Sequence, residues 1–154
     1  MTLRTHFISS EKGQIQPTSP PEDTLAILSV AQSFLAAIGK KSRAEFEKCC
    51  FPAGGMSLSG PGPTPLRFVS MNSYINWITA AVGDFDERMW NPRVQVYEGG
   101  NLATVWAPFR AKINGRLNHI GVDLFIMHKI DGRWKISGLA DSCRHLTDGD
   151  GDLD

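Results

Sequence analysis

Apolar positions recur every three to four residues in the first half of the chain and alternate in the second. Leu25, Leu28, Ala31, Leu35 and Ile38 fall on one face of a helix. Ser19-Pro20-Pro21-Glu22 is a capping box with prolines in the first turn, where their missing N–H groups cost little. Gly39 suits the C-terminal stop. Ser42-Arg43-Ala44-Glu45 repeats the capping box and opens a short helix through Phe46 to about Cys50. Ser70 caps a third helix over 71–82, with Tyr74, Ile75, Ile78 and Val82 on one side and Gly83 at its end. Between the last two, FPAGGMSLSGPGPTP (51–65) reads as a mobile loop that leaves room for a short strand around Met56–Ser59. From Arg93 the period is two, which predicts strands at about 93–98, 102–113, 117–130 and 134–143. Helices followed by a meandering antiparallel sheet make an α+β plan.

Two dipeptides set an expected strand register. Asn114-Gly115 and Asp131-Gly132 are preferred in two-residue hairpin turns, where both positions need positive φ. Taken literally, the first turn puts Arg110 opposite His119 and Trp106 opposite Asp123, and the second puts Asp123 beside Ala140 and Met127 beside Ile136. One face then carries His119, Asp123, Trp106, Arg110, Phe125, Met127 and Ile136, with Gly121, Gly138, Ala140 and Ser142 small beside them. Small residues around a polar cluster leave space, as a pocket wall does. Tyr74, Trp77 and Trp90 are placed to close it from the helix side. The opposite face is aliphatic at its centre and fringed by His128, Lys135 and Asp141, which suits a homodimer through the outer sheet face.

Composition narrows the function classes. The chain has 154 residues, 42% of them hydrophobic, with 16 basic and 16 acidic side chains and no basic run. That balance argues against nucleic acid as a partner, and no apolar stretch approaches the ~20 residues of a membrane helix. Residues 1–18 lack a signal-peptide core and read as a disordered tail, 19–146 as one domain, and 147–154 as an acidic flexible tail. Three cysteines with an adjacent pair, Cys49-Cys50 and Cys143, make a poor disulfide framework and point to the cytoplasm. GGMSLSGPGP lacks the Gly-Lys-Ser/Thr ending of a phosphate loop. DGDGDLD has Leu153 where a calcium loop needs glycine. No cofactor and no metal site are expected.

The stretch NLATVWAPFRAKINGRLNHIGVDLFIMHKIDGRWKISGLADS (101–142), with G-V-D-x-F and D-G-x-W-K-I in order, resembles the nuclear transport factor 2-like superfamily, in particular its SnoaL-like and lumazine-binding-type proteins. The likeness spans about residues 20–145. It implies a cone: a curved antiparallel sheet with three N-terminal helices packed on its concave face. It also implies a small-molecule cavity. Asp123 falls where ketosteroid isomerases carry a pocket aspartic acid that donates to the substrate's oxyanion, a role open to a carboxyl kept protonated by burial. That family's base follows the second helix, where FPAGGMSLSG here has no carboxylate.

Two functions fit these observations. One is a cofactor-free isomerase, dehydratase or cyclase acting on a small hydrophobic carbonyl compound, with Asp123 and His119 as its acid–base pair and Arg110 or Trp106 orienting the carbonyl. The other is a ligand-binding or dimeric interaction module without chemistry.

Overall fold

A computed structural model of the chain describes residues 17–18, 21–97, 99–151 and 153. On these residues it is a curved sheet of eight strands with three helices. The helices are α1 (Pro21–Lys40), α2 (Arg43–Cys49) and α3 (Met71–Ala80). The strands are β1 (Pro17–Thr18), β2 (Cys50–Leu58), β3 (Arg67–Ser70), β4 (Phe85–Met89), β5 (Arg93–Tyr97), β6 (Leu102–Ile113), β7 (Arg116–Ile130) and β8 (Arg133–His145). The order across the sheet is β1-β5-β6-β7-β8-β2-β3, with β4 also pairing with β6. All pairs are antiparallel except β2 with β8. No helix among the described residues is long and apolar enough to cross a membrane.

Local chemistry explains most helix ends. Ser42 and Ser70 accept hydrogen bonds from the backbone N–H groups of Glu45 and Ser73 at 3.3 and 3.0 Å, as N-caps do. Ser19 and Pro20 of the first capping box lie outside the described residues, as do residues 1–16. Gly39 does not end α1. The left-handed position falls on Lys41 (φ 50°), and the N–H groups of Lys41 and Ser42 close the last turn on the carbonyls of Ile38 and Ala37. Gly39 instead lets α1 approach β4: a Cβ there would stand 3.1 Å from the Phe85 carbonyl oxygen.

Residues 50–58 correct the loop expected there. They form a full strand whose inward side chains, Met56 and Leu58, are buried. Gly54 is small because β2 runs hard against β8, where its Cβ would meet the Ser137 carbonyl oxygen at 2.6 Å. The acidic tail is likewise tied down in part: Asp150 accepts from both terminal nitrogens of Arg144, at 2.8 and 2.7 Å, and from the Thr147 N–H.

The core lies between α1, α2, α3 and the concave face. Phe34 stacks on Tyr74 at 5.9 Å and meets Phe46 and Phe125 edge-on at 5.4 and 5.7 Å. Each such ring pair adds about 1 kcal/mol beyond its buried area.

Both hairpins turn at the expected dipeptides, with φ of 51° and 76° at Asn114-Gly115 and 50° and 75° at Asp131-Gly132. Each then slips by one residue. Asn118 is an extra residue on β7, so Lys112 pairs with Leu117 but Ala111 with His119. Ser137 is an extra residue on β8, so Met127 pairs with Ile136 but Ile126 with Gly138. Beyond each bulge every pairing differs by one from the turn-derived register, and partners change face.

Candidate functional site

The slipped register rebuilds the polar face. Asp123 now pairs with Ala107 and Asp141, not with Trp106 and Ala140. Asp141, expected on the fringe of the outer face, stands beside Asp123 on the inner one. Trp106 and Arg110 pass to the convex face. Trp106 is 40% exposed under the Arg93 guanidinium, and Arg110 is buried against Asp86, bonding its carbonyl oxygen at 2.9 Å and its carboxylate at 2.8 Å. Neither reaches the cavity.

That cavity, about 280 Å³, opens between α3, the start of the β2–β3 connection and the concave sheet. His119, Asp123, Tyr74 and Trp77 line it. Phe125, Met127 and Ile136 share the concave face but are fully buried in the core, so they support the cavity without lining it. Two lining carboxyls escape the sequence reading, Asp141 and Glu87. Glu87 comes from β4, whose alternation Phe85, Glu87, Met89 points inward. Three successive charged residues in FDERM (85–89) hide this strand from a period-two reading, and only its pairing with β6 turns Glu87 inward.

The three carboxyls differ in their surroundings. Asp123 is 5% exposed and has no hydrogen-bond partner among the described residues. Burial, then the charges of Glu87 and Asp141, push its pKa well above the usual carboxylate range. Burial, then the charges of Asp141 and Asp86, raise Glu87 to about 7. Glu87 keeps some accessible surface because it faces open cavity rather than packed side chains. Asp141 accepts from the Ser59 N–H at 2.6 Å, which anchors its carboxylate to the cavity's lip. Among the described residues no three acidic, histidine or cysteine side chains are grouped to hold a metal ion.

His119 packs edge-on against Phe109 at 5.8 Å, and its Nδ1 lies 2.8 Å from the Asn118 side-chain oxygen. Burial lowers its pKa, Asp141 opposes this, and His145 adds to it, so the imidazole tends toward the neutral form. Burial raises Tyr74 well above its ordinary value, followed by the charge of Glu87. The site thus pairs protonated or protonatable oxygens with a neutral imidazole in a mostly apolar chamber. Such a chamber can donate a hydrogen bond to a carbonyl oxygen and accept a proton from carbon.

Solved structures share this architecture. An NTF2-like protein of unknown function from Silicibacter pomeroyi superposes with a TM-score of 0.61 at 16% identity, over 82% of this chain and 100% of its own. An NTF2-like protein from Cytophaga hutchinsonii gives 0.65 at 14% identity, over 83% and 100%. The chain has the nuclear transport factor 2-like fold. The association domain of CaMKII from C. elegans carries it too, with a TM-score of 0.64 at 17% identity over 79% of this chain and 95% of that one. No protein-family model and no curated protein matches the sequence. Since the fold carries many functions, the activity has to be argued from the cavity itself.

Proposed function

We propose that this chain is a cytoplasmic small-molecule-binding domain performing cofactor-free acid–base chemistry on a hydrophobic carbonyl compound. The observation that carries the reading is Asp123: a buried, unpartnered carboxyl aimed into an apolar cavity beside two further carboxyls. A carboxyl that holds its proton at neutral pH donates to a carbonyl oxygen and stabilises the enol. Glu87 or His119 takes the proton from the adjacent carbon and returns it to another carbon (isomerisation), to a leaving hydroxyl that departs as water (dehydration), or to a second carbonyl oxygen as the enol carbon attacks that carbonyl (cyclisation).

The proposed assembly is a homodimer through the convex face. Its support is the apolar surface there: Phe68, 77% exposed, with Trp106 and Leu124 beside the small Gly138 and Ala140. The CaMKII association domain shows the same fold in a domain named for association.

Hydrogen–deuterium exchange tests the chemistry without the natural substrate. The acetyl methyl protons of 2-acetylnaphthalene in D2O are expected to exchange faster with the protein than in buffer, and Asp123→Asn should remove about tenfold or more of that acceleration. If the ketone binds but exchanges at the buffer rate, the chain is a binding module and the acid–base reading fails.

A further inference from the structure

The cavity is lined by charged groups of both signs. Asp123, Asp141 and Glu87 line it, as do Arg67 of β3 and Lys112 of β6. Arg67 is exposed and sits over the Trp77 ring at 5.8 Å. Trp77, itself 54% exposed, meets Tyr74 edge-on at 6.0 Å, and Tyr74 stacks on Phe34. A line of aromatic rings therefore runs from the rim into the core, with a guanidinium on its outer end. Among the described residues Arg67 has no carboxylate or carbonyl partner.

We propose that the natural ligand is an amphipathic keto acid whose carboxylate is held by Arg67 at the rim while its carbonyl reaches Asp123. The inference rests on the carbonyl-binding reading above and adds the charge of the ligand to it. A planar guanidinium stacked on an indole keeps its edge free for a carboxylate, in the two-bond geometry arginine favours. Charge also fixes the direction of entry. An anionic group beside Asp123 would meet the charges of Glu87 and Asp141 that already raise the Asp123 pKa, so the ligand's carboxylate must sit away from it. A neutral ketone satisfies Asp123 but leaves Arg67 unused.

The test compares 6-acetyl-2-naphthoate with 2-acetylnaphthalene, which lacks only the carboxylate, by titration of the full chain at pH 7 and low salt. The naphthoate is expected to bind about tenfold more tightly, the advantage shrinking as salt rises. Arg67→Gln should bring the ratio of the two affinities close to one, with the salt dependence of naphthoate binding lost. Equal binding of the two probes to the wild-type chain overturns the inference and leaves the carbonyl reading intact. So does a preference that survives Arg67→Gln. A tighter fit for 6-acetyl-2-(aminomethyl)naphthalene, the cationic analogue, overturns it in favour of recognition by the acids. Binding of none of the three removes both readings.

Discussion

Asp123 on β7 stands directly across from Asp141 on β8, and the pairing exists because Ser137 is inserted between Ile136 and Gly138. Without that residue Ala140 would be the neighbour. The bulge is held on both sides: the Ser137 hydroxyl donates to the Ile126 carbonyl at 3.3 Å and contacts Nδ1 of His128 at 2.5 Å. Two carboxyls forced side by side in an apolar chamber keep a proton that water would remove. The acidity of the site is therefore a product of strand register.

A chain that holds such a proton loses stability as pH rises. Glu87 would ordinarily ionise near 4.5 and here ionises near 7. Between those values the folded chain keeps a proton that the unfolded chain has released, so unfolding free energy falls with pH through that window and levels off above it. Asp123 acts in the same direction from 3.8 upward. The Glu87 share is on the order of 2 kcal/mol. Urea unfolding at pH 5 and pH 8 should show Glu87→Gln losing less stability between the two than the wild type. An equal or larger loss in the variant would contradict the electrostatic account.

Gly121 tests the closeness of β7 and β8 between the two ionisable residues. A Cβ at this position would lie 2.3 Å from the Ser142 carbonyl oxygen and 2.7 Å from the Cys143 Cβ, so the strands must move apart. Gly121→Ala should cost about 2–4 kcal/mol in urea unfolding. Gly138→Ala, whose Cβ would meet only the Ile126 side chain and the Gly55 carbonyl oxygen at 3.5 Å or more, should cost under about 1 kcal/mol. Similar costs for the two would mean that the strand spacing is wrong.

How much of this was legible in the sequence depends on the kind of signal. Hairpin turns announce themselves through residues that tolerate positive φ, and Asn114-Gly115 and Asp131-Gly132 fell where they were read. Four long strands and three helices followed from periodicity to within a few residues. A bulge has no such mark: Asn118 and Ser137 are ordinary strand neighbours, and only their side-chain partners and the curvature of the sheet select them. That is why the turn-derived register places Trp106 and Arg110 on the concave face and the structure on the convex one, while His119 and Asp123, on one strand, share a face in both. Glu87 was hidden for another reason. A five-residue strand with three charges reads as loop, and only its place beside β6 turns the glutamate inward.

Cys143 offers a native probe of the same field. It lines the cavity, and burial, then the charges of Asp141, Asp123 and Glu87, push its thiol up to about 12. Alkylation by iodoacetamide at pH 8 should run on the order of a thousandfold slower than for a free cysteine, because the thiolate is the reacting species. Asp141→Asn should speed it. A rate near that of the free thiol would show that the carboxyl charges do not reach this wall.

The convex face makes a separate prediction about assembly. Trp106→Arg together with Leu124→Glu places charges at the centre of the apolar surface while leaving the cavity side untouched. Sedimentation of the wild type at micromolar concentration should give a dimer and the double variant a monomer with unchanged helix content. A wild-type chain that sediments as a monomer would remove the proposed interface.

The proposed chemistry turns on Asp123 keeping its proton far above the pH at which an exposed aspartate loses it. Carbon-13 NMR of the aspartate carboxyls, assigned by comparison with Asp123→Asn, measures this directly. One carboxyl resonance should titrate well above the range of the other aspartates, and should titrate lower in Asp141→Asn. A midpoint near 4 for Asp123 would contradict the claim and leave the cavity with an ordinary carboxylate.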